Sequence, residues 1–265
     1  MNFKTIGSAV LIFSFVLFLF YKGGKQSSTS RPIMVFAAAS LTEALEEIGQ
    51  QYQKITGRVV QFNFAGSNVL AHQIIKSNRA DLFISANEYW MDQVMAKKRM
   101  VVASRTALLT NGLVLVAHQK SLLRVKDQKD LCELTFRRVA LGQPEAVPAG
   151  RYAVEWLKSV DCGEKSLWEV WKKRVVPALD VKSALNYAER DSSLIAVVYQ
   201  TDSQTSDRVR VLYAVPPSEA PKITYSLGMT KKTSDSNDEA SSFFEFVQTE
   251  EARIIFKQHG FSPLF

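Results

Sequence analysis

Short apolar runs and helix-period segments alternate along the chain from Ile33 onward, and few architectures satisfy that pattern. Residues 33–38, 59–64 and 81–86 read as buried strands, each followed by a segment with apolar residues at helical spacing. In the first such segment Leu41, Ala44, Leu45, Ile48 and Tyr52 share one face, Ser40 and Glu43 have capping-box spacing, and Gly57 stands where the helix should stop. A strand–helix repeat buries both kinds of apolar face only when helices layer against a sheet, which predicts an α/β protein with largely parallel sheets.

The pattern then repeats in a second unit. Residues 113–117 form a strand that crosses into it, and residues 138–142 are a strand leading through a Pro-rich turn, GQPEAVPAG, to a helix over 151–160. Asp180 is a good N-cap for a helix over 181–189, residues 194–199 form a buried strand, and further strands lie at 209–215 and 223–228. One last amphipathic helix, SSFFEFVQTEEARIIFKQHG, ends the chain. Because the strands at 113–117 and 223–228 bracket the middle, two domains joined by two crossing strands are expected: residues 31–112 with 226–265, and residues 113–225. Such a pair can bend at a hinge and close on a ligand in the cleft.

The N-terminus follows a different plan. Residues 1–5 carry one Lys, residues 9–21 are almost continuously apolar, and the polar spacer KGGKQSSTS follows. That order is the plan of a secretory signal, so residues 1–30 are read as a signal or anchor and the chain as exported, to the periplasm or the extracytoplasmic face of a membrane. The apolar stretch is short of the roughly 20 residues that span a bilayer, yet no A-x-A cleavage signal closes it, so tethering by residues 9–21 stays open. No cysteine follows it to carry a lipid. The cysteines, Cys132 and Cys162, are compatible with one disulfide or with two buried thiols.

Composition narrows the function classes. The 265 residues are 46% hydrophobic and 22% charged, ordinary for a globular protein, and the net charge of +7 is spread without a basic run suited to nucleic acid. There is no phosphate loop, no G-x-G-x-x-G, no nucleophile elbow and no Cys/His cluster for a metal. His72, His118 and His259 read as surface or packing residues. What remains is a set of donors at helix starts: Ser40, Ser67, the turn Pro148-Ala149-Gly150, and Asp180-Val181. Helix N-termini favour anions because unpaired N–H groups and the macrodipole are both positive there, although each, taken singly, is also an ordinary cap.

Several stretches carry a resemblance. FAAASLTEALEEI from Phe36, FAGSNVLAHQI from Phe64, ADLFISANEYWMD from Ala80, GQPEAVPAGRYA from Gly142, DVKSAL from Asp180, AVVYQTD from Ala196 and the closing IFKQHGF, taken in that order, are similar to the periplasmic molybdate-binding proteins, the receptors of molybdate ABC transporters. The resemblance implies a type II periplasmic-binding-protein fold, two α/β domains with the ligand in the cleft between them. It also implies a monomeric receptor that is no enzyme and carries no cofactor, and that hands molybdate or tungstate to a membrane permease. Molybdenum would be bound only as its oxyanion, with no direct protein–metal bond. The matching ligand set is the hydroxyls of Ser40 and Ser67, the backbone N–H groups of Ala149 and Val181, and the phenol of Tyr199; the last comes from the resemblance alone. Asn68 departs from the pattern, where a small hydroxyl residue is common.

A site of this kind stabilises a buried dianion by neutral hydrogen bonds, each worth roughly 1.5–3 kcal/mol to a charged acceptor. A cage made only of donors disfavours hydrogen phosphate, whose proton would be left without an acceptor. The alternatives are a receptor for another tetrahedral oxyanion such as sulfate, an anchored sensor, and a serine-dependent small-molecule hydrolase with Ser40 or Ser67 as nucleophile. The hydrolase requires a base within reach of the serine.

Overall fold

A computed structural model describes residues 31–77, 79–231 and 238–265. The signal or anchor reading of residues 1–30, with the tether at 9–21, lies outside the described residues. No helix among the described residues is long and apolar enough to cross a membrane.

The chain opens with β1 (Ile33–Ala38), a 3-10 turn (Ala39–Leu41), α1 (Thr42–Thr56), β2 (Val60–Ala65), α2 (Ser67–Ser77), β3 (Leu82–Ser85), α3 (Glu88–Ala96) and β4 (Thr106–Thr110). It continues through β5 (Leu113–His118), α4 (Asp130–Glu133), β6 (Arg138–Gly142), α5 (Pro148–Ser159), α6 (Leu167–Trp171), β7 (Val175–Ala178), α7 (Val181–Arg190), β8 (Leu194–Tyr199), α8 (Gln200–Ser203) and β9 (Val209–Ala214). It returns through β10 (Tyr225–Met229), α9 (Asp238–Phe246), α10 (Glu250–Gln258) and β11 (Ser262–Pro263). Two sheets result, ordered β11-β4-β10-β3-β1-β2 and β7-β6-β8-β5-β9.

Each sheet with its helices forms a lobe, and the chain crosses between lobes twice, at Asn111-Gly112 and over residues 215–224. The sheets are mixed rather than largely parallel. β1 pairs in parallel with β2 and β3, and β6 with β7 and β8, whereas β4, β5, β9, β10 and β11 all pair antiparallel. The physical reason lies in the connections: parallel neighbours are linked through crossover helices, and the antiparallel strands include those on either side of both crossings, where no such helix intervenes.

Buried apolar strands explain the core. β5 and β8 are almost wholly enclosed, with Val114, Leu115 and Val116 opposite Val198, Val197 and Ala196. Gly57 ends α1 in the left-handed conformation, φ 72°. Two local expectations are corrected. Ser40 does not cap α1: it sits inside the 3-10 turn, α1 starts two residues later, and its N-cap position, Leu41, has no capping side chain. The final amphipathic segment is two helices, because the Thr249 hydroxyl accepts from the Ala252 N–H and starts α10 afresh. Cys132 and Cys162 form a disulfide in the second lobe, with Cα atoms 5.6 Å apart.

Candidate functional site

Between the lobes lies a small cleft lined by Ala38, Ala39, Ser40, Ala65, Gly66, Ser67 and Ala86 from one side. The other side supplies Val147, Pro148, Ala149, Asp180, Val181 and Tyr199. The cleft holds about 210 Å³ of empty space, part of it open to solvent. No lining residue is cationic, and the one carboxylate among them, Asp180, is occupied at a helix start: its Oδ1 accepts from the Ser183 N–H at 2.7 Å.

The structure brings Ser40, Ser67, Ala149, Val181 and Tyr199 together on this cleft, and each is no more than 4% exposed. Local folding gives each its position. Ser40 follows β1, and its Oγ lies 2.9 Å from the Tyr225 OH. Ser67 opens α2, but its Oγ does not cap that helix; it accepts from the Ala86 N–H beyond β3, at 3.0 Å. With that lone pair filled, the Ser67 proton is left to donate. Ala149 is the second residue of α5 and Val181 the first of α7, positions whose N–H groups have no partner within the helix.

A close backbone approach sets the α5 terminus: a Cβ on Gly150 would lie 2.0 Å from the Gly142 carbonyl oxygen, so only glycine lets the helix start this near the end of β6. A comparable contact brings the lobes together at Gly66, where a Cβ would lie 2.9 Å from the Leu179 carbonyl oxygen.

Tyr199 ends β8 with its hydroxyl buried and without a hydrogen-bond partner among the described residues. An unsatisfied buried polar group costs roughly 1–3 kcal/mol, so a hydroxyl kept in this state on a cleft wall is suited to a ligand. Burial, reinforced by Tyr225, Tyr152 and the Asp202 carboxylate, pushes the phenol well above its ordinary pKa, so it stays a donor. The departure noted at Asn68 leaves its buried Oδ1 likewise unpaired, but Asn68 is not among the residues lining the cleft.

Other contacts between the lobes escaped the sequence reading. Trp90 Nε1 donates to the Ala146 carbonyl across the lobes at 2.6 Å, the Arg151 guanidinium lies 4.3 Å from the centre of the Tyr89 ring, and Lys182 Nζ meets Glu43 Oε1 at 2.7 Å. Asn111 carried no mark in the sequence, and Tyr225 was legible only as a strand residue. Asn111 meets Tyr225 across 114 residues of sequence and Tyr225 meets Ser40 across 185, a relation no local pattern carries.

Base catalysis has no support in this arrangement. Neither Ser40 nor Ser67 is hydrogen-bonded to a histidine or a carboxylate among the described residues. His72 packs against Trp90, His118 accepts from the Lys120 N–H, and His259 meets Glu47. No group of three His, Cys, Asp or Glu side chains among the described residues is placed to hold a metal ion.

Comparison with known proteins agrees with this geometry. The family described as bacterial extracellular solute-binding protein matches residues 33–262. The molybdate-binding protein of Escherichia coli (strain K12) is 35% identical over 252 residues, covering 92% of this chain and 93% of that protein. That of Haemophilus influenzae (strain ATCC 51907 / DSM 11121 / KW20 / Rd) is 31% identical over 243 residues, covering 90% and 93%. Among solved structures, the periplasmic molybdate-binding protein of Azotobacter vinelandii superposes with a TM-score of 0.74 at 20% identity, over 86% of this chain and 98% of that one. This last likeness establishes the fold, that of the periplasmic binding proteins with two α/β lobes. These relatives are binding proteins, not enzymes, and the chain belongs with them to the bacterial extracellular solute-binding protein family.

Proposed function

We propose that the protein is an extracytoplasmic receptor for molybdate, and for tungstate of nearly equal size, which it passes to the membrane permease of an ABC transporter. The observation that carries the reading is the convergence of five neutral donors, from Ser40, Ser67, Ala149, Val181 and Tyr199, on one small cleft without a cation. A tetrahedral dianion offers only acceptors, and charge-assisted bonds of roughly 1.5–3 kcal/mol each offset its desolvation. The α5 and α7 termini add their positive ends.

In this reading residues 31–112 with 226–265 and residues 113–225 are the two domains, closing on the ion about the paired crossings. The receptor works as a monomer, without cofactor or nucleic acid, because it must present one closed cleft to the permease. The names of the E. coli and H. influenzae relatives support molybdate as the ligand.

Calorimetric titration of the full-length chain with molybdate, tungstate, sulfate and phosphate tests the proposal. Tight binding of the first two, with little of the others, is expected. Preference for sulfate would keep the receptor and change its cargo, and binding of none would overturn it.

A further inference from the structure

A serine hydroxyl donates one hydrogen bond and accepts others, so a donor-only cage requires something to hold Ser40 in one sense. A chain of buried groups behind Ser40 does so. The Gly112 N–H lies 2.9 Å from the Asn111 side-chain oxygen. A backbone N–H can only donate, which fixes that atom as the oxygen and turns the amide NH2 the other way. The NH2 reaches Thr201 Oγ1 at 2.9 Å and the Tyr225 OH at 3.3 Å.

Tyr225 thus accepts from Asn111, which leaves its single proton free for Ser40 Oγ, 2.9 Å away. One of the two Ser40 lone pairs is then filled, and the Ser40 proton, turned away from Tyr225, is free to point into the cleft. Ser67 is held in the same sense by the Ala86 N–H. Asn111 stands at the first crossing between lobes and Tyr225 at the end of the second, and neither lines the cleft. Burial, together with the Asp202 carboxylate, keeps the Tyr225 phenol protonated, so the direction of the chain does not depend on pH in the working range.

Resting on the receptor reading above, we propose that Tyr225, oriented by Asn111, is a positioning residue that fixes Ser40 as a donor and so makes the cleft reject oxyanions that keep a proton. Without the Tyr225 hydroxyl, Ser40 can rotate and accept from such an ion. Selectivity, not simply affinity, is what the two residues control.

The test compares wild-type, Tyr225→Phe and Asn111→Ala full-length protein by calorimetric titration. The ligands are molybdate and phosphate at mildly alkaline pH, where phosphate is a dianion that still holds one proton. Wild type should bind molybdate and discriminate against phosphate, and both variants should narrow that ratio by about tenfold or more. Equal losses for both ions, or an unchanged ratio, would reduce Tyr225 to a packing residue and overturn the inference. Wild type that binds phosphate as well as molybdate also overturns it while leaving the receptor standing. Wild type that binds neither removes both readings. Should Tyr225→Phe fail to fold, Asn111→Ala gives the same ratio.

Discussion

Tyr199 and Ser40 do different work although both present a hydroxyl to the cleft. Ser40 already has a partner behind it, whereas the Tyr199 hydroxyl has none. Removing the Tyr199 oxygen therefore deletes a ligand bond and relieves an unsatisfied group at once. Tyr199→Phe should weaken molybdate binding by about tenfold or more while thermal stability holds or rises. Titration alongside a melting curve checks this; unchanged affinity would take Tyr199 out of the site. At this scale the sequence was partly legible. The serines stand out because each follows a buried strand and opens a helix-period segment, and Ala149 and Val181 because a Pro-rich turn and an Asp cap mark their helix starts. Tyr199 has no such signature. It ends a wholly apolar strand, and only similarity to a known family singled it out.

Elements with a continuous apolar run have the bounds the sequence predicts: β1, β6 and β8 begin and end where their runs do. The strands missed are β4, β7 and β11; β7 and β11 are short and carry Pro177 and Pro263, which argue against a strand read alone. Pro177 is tolerated because β7 is an edge strand. The predicted Ser40–Glu43 cap failed for a nonlocal reason, since Tyr225 takes the Ser40 hydroxyl and Lys182 takes the Glu43 carboxylate. The Asp180 cap succeeded because nothing distant competes for its side chain. Asp180→Ala should cost about 1 kcal/mol of stability through the loss of the bond to the Ser183 N–H. Chemical denaturation measures it, and a loss below a few tenths of that would show that α7 is held by packing alone.

Across the whole molecule, the fully buried Asp202 carboxyl sits near the meeting of the two lobes, with Lys182 Nζ 3.7 Å away. Burial, with Glu43 adding repulsion and Lys182 opposing it, raises its pKa from 3.8 to about 7. In that interval the unfolded chain has shed the proton and the native state still holds it, so stability is fully present below pH 3.8 and falls as pH rises to about 7. Asp202→Asn removes this dependence. The variant should melt higher than wild type at pH 8, and the gap should shrink toward pH 4; melting curves that run parallel across the range would refute the assignment. Tyr225 and Tyr199, which also face this region, stay protonated throughout the same range.

The indole of Trp90 gives the molecule a built-in optical gauge. It belongs to one lobe, bonds to the Ala146 carbonyl of the other, and packs edge-on against His72 and Tyr89. Trp156 and Trp171 are sealed within the second lobe, where widening of the gap would leave their surroundings alone. An opening of the lobes that breaks this bond would exchange the Trp90 carbonyl partner for water. Its emission colour would then report that opening with no dye attached, over a background from Trp156, Trp168 and Trp171 of the second lobe.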